Sequence, residues 1–201
     1  MTPRTKEAFD SMRENTRLKI EAAALALFAR KGLSVTVNEV AKAAGISQGL
    51  LYSHYPSKDA LISELMRQAT SISSQSISIL RDTDSPAEVK IRHMTKMMCQ
   101  MFSEFPIGID YFMFTIQVSM GGFDASGANF YDEGLPNPIE SLAEILKQGQ
   151  VEGSVVADDP VQLATIYWAT IQGLSCYAIT GMPVTPPEQI LNRILLKENV
   201  L

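Results

Sequence analysis

The chain has little with which to do covalent or metal chemistry. Its 201 residues include two cysteines and two histidines. Cys99 and Cys176 stand 77 positions apart, which makes neither a metal-binding pair nor a disulfide framework. Both are expected as buried thiols in a reducing compartment. HExxH and GxGxxG are missing, and the carboxylates are scattered over polar faces. An enzyme is therefore not expected, and neither is a metal or a cofactor. Charge is also missing from one long stretch, the 28 positions from Pro160 to Pro187. Gln162, Thr165, Thr170, Gln172, Ser175 and Thr180 interrupt it, and a lipid-crossing helix would leave both glutamines without partners. A helix buried in a protein interface is expected instead. The opening MTPRTKEAF is too polar for a secretory signal, so a cytoplasmic protein without a membrane partner is expected.

What is present is globular and helical. Apolar residues make up 46% and charged ones 19%, which excludes a disordered chain. The net charge of −5 is unevenly placed. Residues 1–67 hold ten basic and seven acidic side chains, +3, while the remainder holds seven basic and fifteen acidic, −8. A basic head on an acidic body suits a polyanion-binding module joined to something else. Apolar spacing predicts helices over about 13–31, 36–44, a short one after Ser47, 58–79, 86–105, 107–119, 138–150, 160–180 and 187–200. Val151, Val155 and Val156 are too few, and too interrupted by Gly153, for a strand. The fold class is all-α: a three-helix N-terminal helix-turn-helix domain, residues 13–66, then a larger helical domain, residues 67–201. The stretch from Met120 to Pro138, rich in Gly, Asn, Asp and Pro, reads as a loop able to gate a pocket.

The segment TVNEVAKAAGISQGLLYSHYPSKDAL, from Thr36 to Leu61, carries the functional signal. Thr36 followed by Glu39 is a capping box, and Val35 with Val40 makes a hydrophobic staple. Gly45 breaks this helix, Ser47 caps the next, and Pro56 with Ser57 ends that one and caps the fourth. Two short helices joined at a glycine let the second project into the DNA major groove. Val40, Ala41, Ala44, Ile46, Leu51 and Tyr55 are expected to pack on Leu27 and Phe28. Gln48, Gly49, Tyr52, Ser53 and His54 are left facing outward.

This block resembles the TetR family of bacterial transcriptional regulators. The resemblance covers roughly residues 18 to 65, IEAAALALFARKGLSVTVNEVAKAAGIS through QGLLYSHYPSKDALISEL. It rests on the joint spacing of Gly32, Thr36, Ala41, Ala44, Gly45, Ser47, Leu51, Tyr52, Tyr55 and Lys58. Beyond it only the all-helical layout and the Gln172-Gly173-Leu174 element agree. The resemblance implies that Thr36, Ser47, Tyr52, His54 and Lys58 meet phosphates, that Gln48 reads a base, and that Gly49 permits close approach. Many relatives carry a Lys and a Tyr or Arg where this chain has Gln48 and Ser53. The third helix therefore holds no permanently cationic side chain, and a shallow salt dependence follows.

Methionines crowd the middle of the chain. Met94, Met98, Met101 and Phe105 form one helical face, to which Phe112 and Trp168 are added as the expected wall of an adaptable cavity for a small, largely apolar or aromatic effector. Helices 160–180 and 187–200 are the expected homodimerisation pair. Ala164, Ala169, Gly173 and Ala178 would allow close crossing, with Ile190, Ile194 and Leu195 on one stripe. The function implied is a ligand-responsive repressor that binds a palindromic operator on double-stranded DNA as a homodimer. The alternative is a related adaptor that binds a ligand or protein without reading an operator.

Overall fold

A computed structural model describes residues 6–76, 82, 84–103, 106–120, 137–182, 184 and 188–197. Among them lie nine helices: α1 (Lys6–Lys31), α2 (Val37–Ala44), α3 (Gln48–His54), α4 (Lys58–Ser76), α5 (Ala87–Ser103), α6 (Pro106–Met120), α7 (Pro138–Glu152), α8 (Pro160–Ile179) and α9 (Glu188–Leu195). No helix among the described residues is long and apolar enough to cross a membrane.

Two apolar clusters organise the chain. The first gathers Ile20, Ala24 and Phe28 of α1, spaced four apart on one face, with Val40 and Ala41 of α2 and Leu51 of α3. Leu61, Ile62 and Leu65 of α4 and Ile109, Met113 and Phe114 of α6 complete it. The small N-terminal helices thus share a core with a helix of the body, and Phe28 stacks on Phe114 with ring centroids 6.0 Å apart. Arg30 of α1 pairs with Asp110 of α6 at 3.1 Å across the same seam. Burial pushes the Asp110 carboxyl upward, and Arg30 opposes that shift. The second cluster joins Ile91 and Met94 of α5, Leu142 and Leu146 of α7, Tyr167 and Ile171 of α8, and Leu191 and Leu195 of α9. Phe112 packs against both clusters.

The helix ends follow local chemistry. Gly32 takes φ 76° after α1, a conformation that favours glycine. Asn137 and Asp159 cap α7 and α8, each followed by a proline in the first turn. At Gly149, a side chain would lie 2.3 Å from Val155 Cγ2 and 3.0 Å from Ala87 Cβ, so glycine lets the chain past α7 fold back this closely on the helix.

Three expectations are corrected. Helix α1 begins at Lys6 rather than near Arg13. Residues 8–15 are exposed, so apolar spacing gave no sign of these turns; Arg17–Glu14 pairing and ordinary helix propensity suffice. Helix α9 ends at Leu195, not near residue 200. Leu196 makes an antiparallel bridge to Val155. There the Val156 N–H donates to Leu195 O and the Lys197 N–H to Ser154 O, both at 3.0 Å. The chain leaving α7 past Gly153 thus captures the end of α9, and a lone bridge has no period for a sequence to show. Finally, Cys99 is half-buried and Cys176 is exposed, not buried. Cys176 shares the outward face of α8 with Ala169 and Gly173. Absence of charge told that the helix was apolar but not which apolar face pointed inward.

Candidate nucleic-acid interface

The turn between α2 and α3 is built as its residues dictate. Thr36 Oγ1 accepts the Glu39 N–H at 3.3 Å, and the Glu39 carboxylate takes the Thr36 N–H at 2.9 Å, so both halves of the capping box form. Val35 and Val40, the staple pair, are buried. Gly45 takes φ 69° with nothing within 4 Å of where a Cβ would lie, so conformation rather than space requires glycine. The Ile46 N–H then reaches back to Ala41 O at 3.0 Å. Ser47 Oγ accepts the Leu50 N–H at 3.2 Å and opens α3. Ser57 Oγ does the same for Ala60 at 3.0 Å as α4 begins.

Gly45-Ile46-Ser47-Gln48-Gly49 also spells GxSxG, the letters of a nucleophile elbow. That elbow joins a strand to a helix and presents a bare serine hydroxyl. Here the stretch joins two helices, and the Ser47 hydroxyl oxygen is engaged as a cap.

Within α3 only Leu51 is buried. Gln48, Gly49, Tyr52 and Ser53 are exposed and His54 is half-buried, so the expected outward residues share one accessible surface. Ser53 Oγ donates to Leu50 O at 2.7 Å, within its own helix. A Cβ at Gly49 would meet nothing within 4 Å, so no packing inside the protomer calls for glycine there. Glycine costs about 1 kcal/mol in an exposed helix, and close approach of another molecule would account for it. Leu50, 42% exposed, was missed by sequence reasoning. An aliphatic side chain beside Gly49 on the outward face was the available signal, and it is chemically suited to a thymine methyl. Lys58 does not reach freely into solvent: its ammonium donates to Leu33 O and lies 6.0 Å from the Phe28 ring centroid. Tyr55 is buried, as expected, but its hydroxyl is also bound to Glu21, which the sequence did not disclose.

Glu39 is held below the ordinary carboxylate range, first by the Thr36 N–H and then by the Thr36 hydroxyl. Its folded-state pKa is therefore below its unfolded one. The capping box contributes stability above the ordinary carboxylate pKa, and this is lost as pH falls through the depressed value. Comparing wild type with Glu39→Gln by urea unfolding, we expect the gap in stability, present at neutral pH, to close as pH falls below the ordinary carboxylate range. A constant gap would exclude ionisation as its source.

The expected cavity residues are divided between the clusters. Met94 is buried in the second cluster, and Met98 and Trp168 pack against it. Met101 packs against the first. Phe112, in contact with both, stacks on Trp168 at 6.5 Å. The Trp168 Nε1–H donates to Pro138 O at 3.1 Å. Phe105 and residues 121–136 of the expected gating loop lie outside the described residues. Buried Thr95 and Tyr167, whose hydroxyls are 3.1 Å apart, add a polar pair that an apolar-face reading could not find.

On α8, Val161, Ile166, Ala169, Gly173 and Tyr177 are exposed, as is Ile190 of α9. Ala164 is buried inside the protomer and Ala178 packs against the first cluster, so neither lies on that outward face. Leu195 is likewise buried and Ile194 partly so, which leaves only Ile190 of the expected α9 stripe outside.

Comparison with known proteins places this geometry. The family model described as bacterial regulatory proteins, tetR family, matches residues 20–65. The HTH-type transcriptional repressor KstR2 of Rhodococcus jostii is 40% identical over 58 residues, 28% of this chain and 28% of that repressor. Among solved structures, a transcriptional regulator of Saccharomonospora viridis in complex with choline is 21% identical. The likeness covers 92% of this chain and 100% of that one, with a TM-score of 0.65. A TetR-like regulator from Rhodococcus sp. RHA1 is 16% identical, covers 89% of this chain and 92% of that one, and has a TM-score of 0.66. The family model thus matches the helix-turn-helix region, while likeness of fold extends over most of the chain.

Proposed function

We propose that the chain is a regulator of the TetR family, which the family-model match over residues 20–65 supports, and that it is a repressor that binds a palindromic operator as a homodimer and is released by a small, largely apolar effector. The observation that carries the reading is the outward surface of α3: exposed Gln48, Leu50, Tyr52 and Ser53 around a glycine for which the protomer has no packing use. Residues 13–66 form the reading domain and residues 67–201 the sensing and dimerisation domain. Gln48 pairs with adenine, and Gly49 and Leu50 approach a thymine methyl. Thr36, Ser47, Tyr52, His54 and Lys58 meet phosphates. The outward face of α8, with Ile190 of α9, pairs with its copy, and two reading helices then stand about 34–36 Å apart, one turn of DNA. The effector sits among Met94, Met98, Met101, Phe112 and Trp168 and shifts α4, whose first residue is Lys58. Effector and operator then lower each other's affinity by one shared factor. The protein acts in the cytoplasm.

Enrichment of duplexes from a random pool tests this. Wild type is expected to enrich two inverted half-sites about one helical turn apart. Gln48→Ala should relax one position per half-site and cost about 1–3 kcal/mol there. Lys58→Ala should weaken all duplexes evenly. Equal shifts of sequence preference by both variants would overturn the roles. A wild type that enriches no duplex would favour the adaptor reading, which the lack of a permanent cation on α3 suggests.

A further inference from the structure

Side-chain hydrogen bonds that tie the end of α3 to the body converge on one buried carboxylate. Glu21 of α1 is 6% exposed, within an otherwise apolar cluster. Its Oε1 accepts Arg17 Nη1 at 2.6 Å and also the hydroxyl of Tyr55, the residue that caps the C-terminus of α3. Its Oε2 accepts Gln68 Nε2 of α4 at 3.0 Å. The same nitrogen donates to Glu64 Oε1 at 2.9 Å, and Gln68 Oε1 accepts the Tyr111 hydroxyl of α6 at 2.6 Å. Two carboxylates on the amide nitrogen leave only the amide oxygen for Tyr111, so the orientation of Gln68 and the direction of the Tyr111 proton are both determined.

We propose that Tyr111, Gln68, Glu21 and Tyr55 form a hydrogen-bonded relay through which α6 sets the orientation of the reading helix. They are positioning residues for DNA reading, and none of them needs to meet DNA. The proposal rests on the reading of α3 given above. A buried carboxylate is tolerated only while its oxygens keep their donors, so the network holds one arrangement or breaks, unlike apolar side chains that slide past one another. A movement of α6 that withdraws the Tyr111 hydroxyl releases Gln68. Glu21 Oε2 then loses its fixed donor, and Arg17 alone is left to hold the carboxylate that anchors Tyr55. Burial and the nearby Glu21 raise the pKa of both phenols, which keeps them protonated and able to donate.

Tyr55→Phe and Tyr111→Phe keep both rings and remove one link each. Affinity for a duplex enriched by wild type should fall roughly tenfold in either variant. The double variant should be no weaker than the weaker single one, because both changes break the same path. Effects that multiply would mark two independent structural contacts and overturn the relay. Amide hydrogen exchange supplies a readout without DNA: Tyr111→Phe should speed exchange at Leu51–Tyr55, two side chains along the relay from the substitution, while α2 is unchanged. Unaltered exchange at α3 would also overturn it. Failure of wild type to enrich any duplex would sink operator reading, and the exchange comparison would still decide the relay.

Discussion

Gly173→Arg is expected to leave the protomer folded, abolish the proposed dimer, and weaken duplex binding by at least about a hundredfold, the gain that two linked half-sites provide. Gly173 lies on the exposed face of α8 beside Ile166, Ala169 and Tyr177. Nothing is within 4 Å of where its Cβ would lie, so a single protomer accommodates the new side chain in solvent. In a bundle of α8 and α9 from two copies, the same guanidinium would be buried without a partner, at a cost of about 3–5 kcal/mol. Light scattering reads the assembly and duplex titration reads the affinity. A dimer of unchanged mass would move the interface off this face. Ile194→Arg makes a poorer test than its place on the helix suggests. Ile194 packs against the second cluster, so its loss damages the protomer as well.

Phe28→Ala should cost about 3–5 kcal/mol of unfolding free energy, the range for deleting a fully buried aromatic ring. Phe28 has no exposed surface, stacks on Phe114 of α6, and supports the Lys58 ammonium at the start of α4. The cavity would therefore open where the small N-terminal helices meet the body. Urea unfolding should show the midpoint falling for probes in both regions together, because one cluster serves both. A loss below about 1 kcal/mol would mean that Phe114 and its neighbours collapse into the space. Separate transitions would mean that the N-terminal helices fold independently of α6.

The helix-turn-helix was legible because its determinants are local. A capping box spans four residues, the positive φ at Gly45 belongs to one residue, and the spacing of Val40, Ala41 and Leu51 is the helix period itself. The same locality predicted which side chains of α3 face outward, although Leu50 was left unassigned. Where nothing local marked the boundary, the reading failed. The solvated first turns of α1 bury no apolar face, and the end of α9 depends on Val155, some forty residues away in the chain.

The sequence alone determined the class of fold, the place of α3 and the chemistry of its caps, since each depends on interactions within a few residues. Tertiary structure alone decided the partition of the methionine face between two clusters, with Met94 and Met98 in contact with one and Met101 with the other. It also decided which side of the charge-free α8 remains outside, and it brought Glu21, Tyr55, Gln68 and Tyr111 together from four helices' worth of chain. Periodicity says that a helix has an apolar face, but which neighbour covers that face, and which polar groups meet beneath it, depends on how distant elements cross.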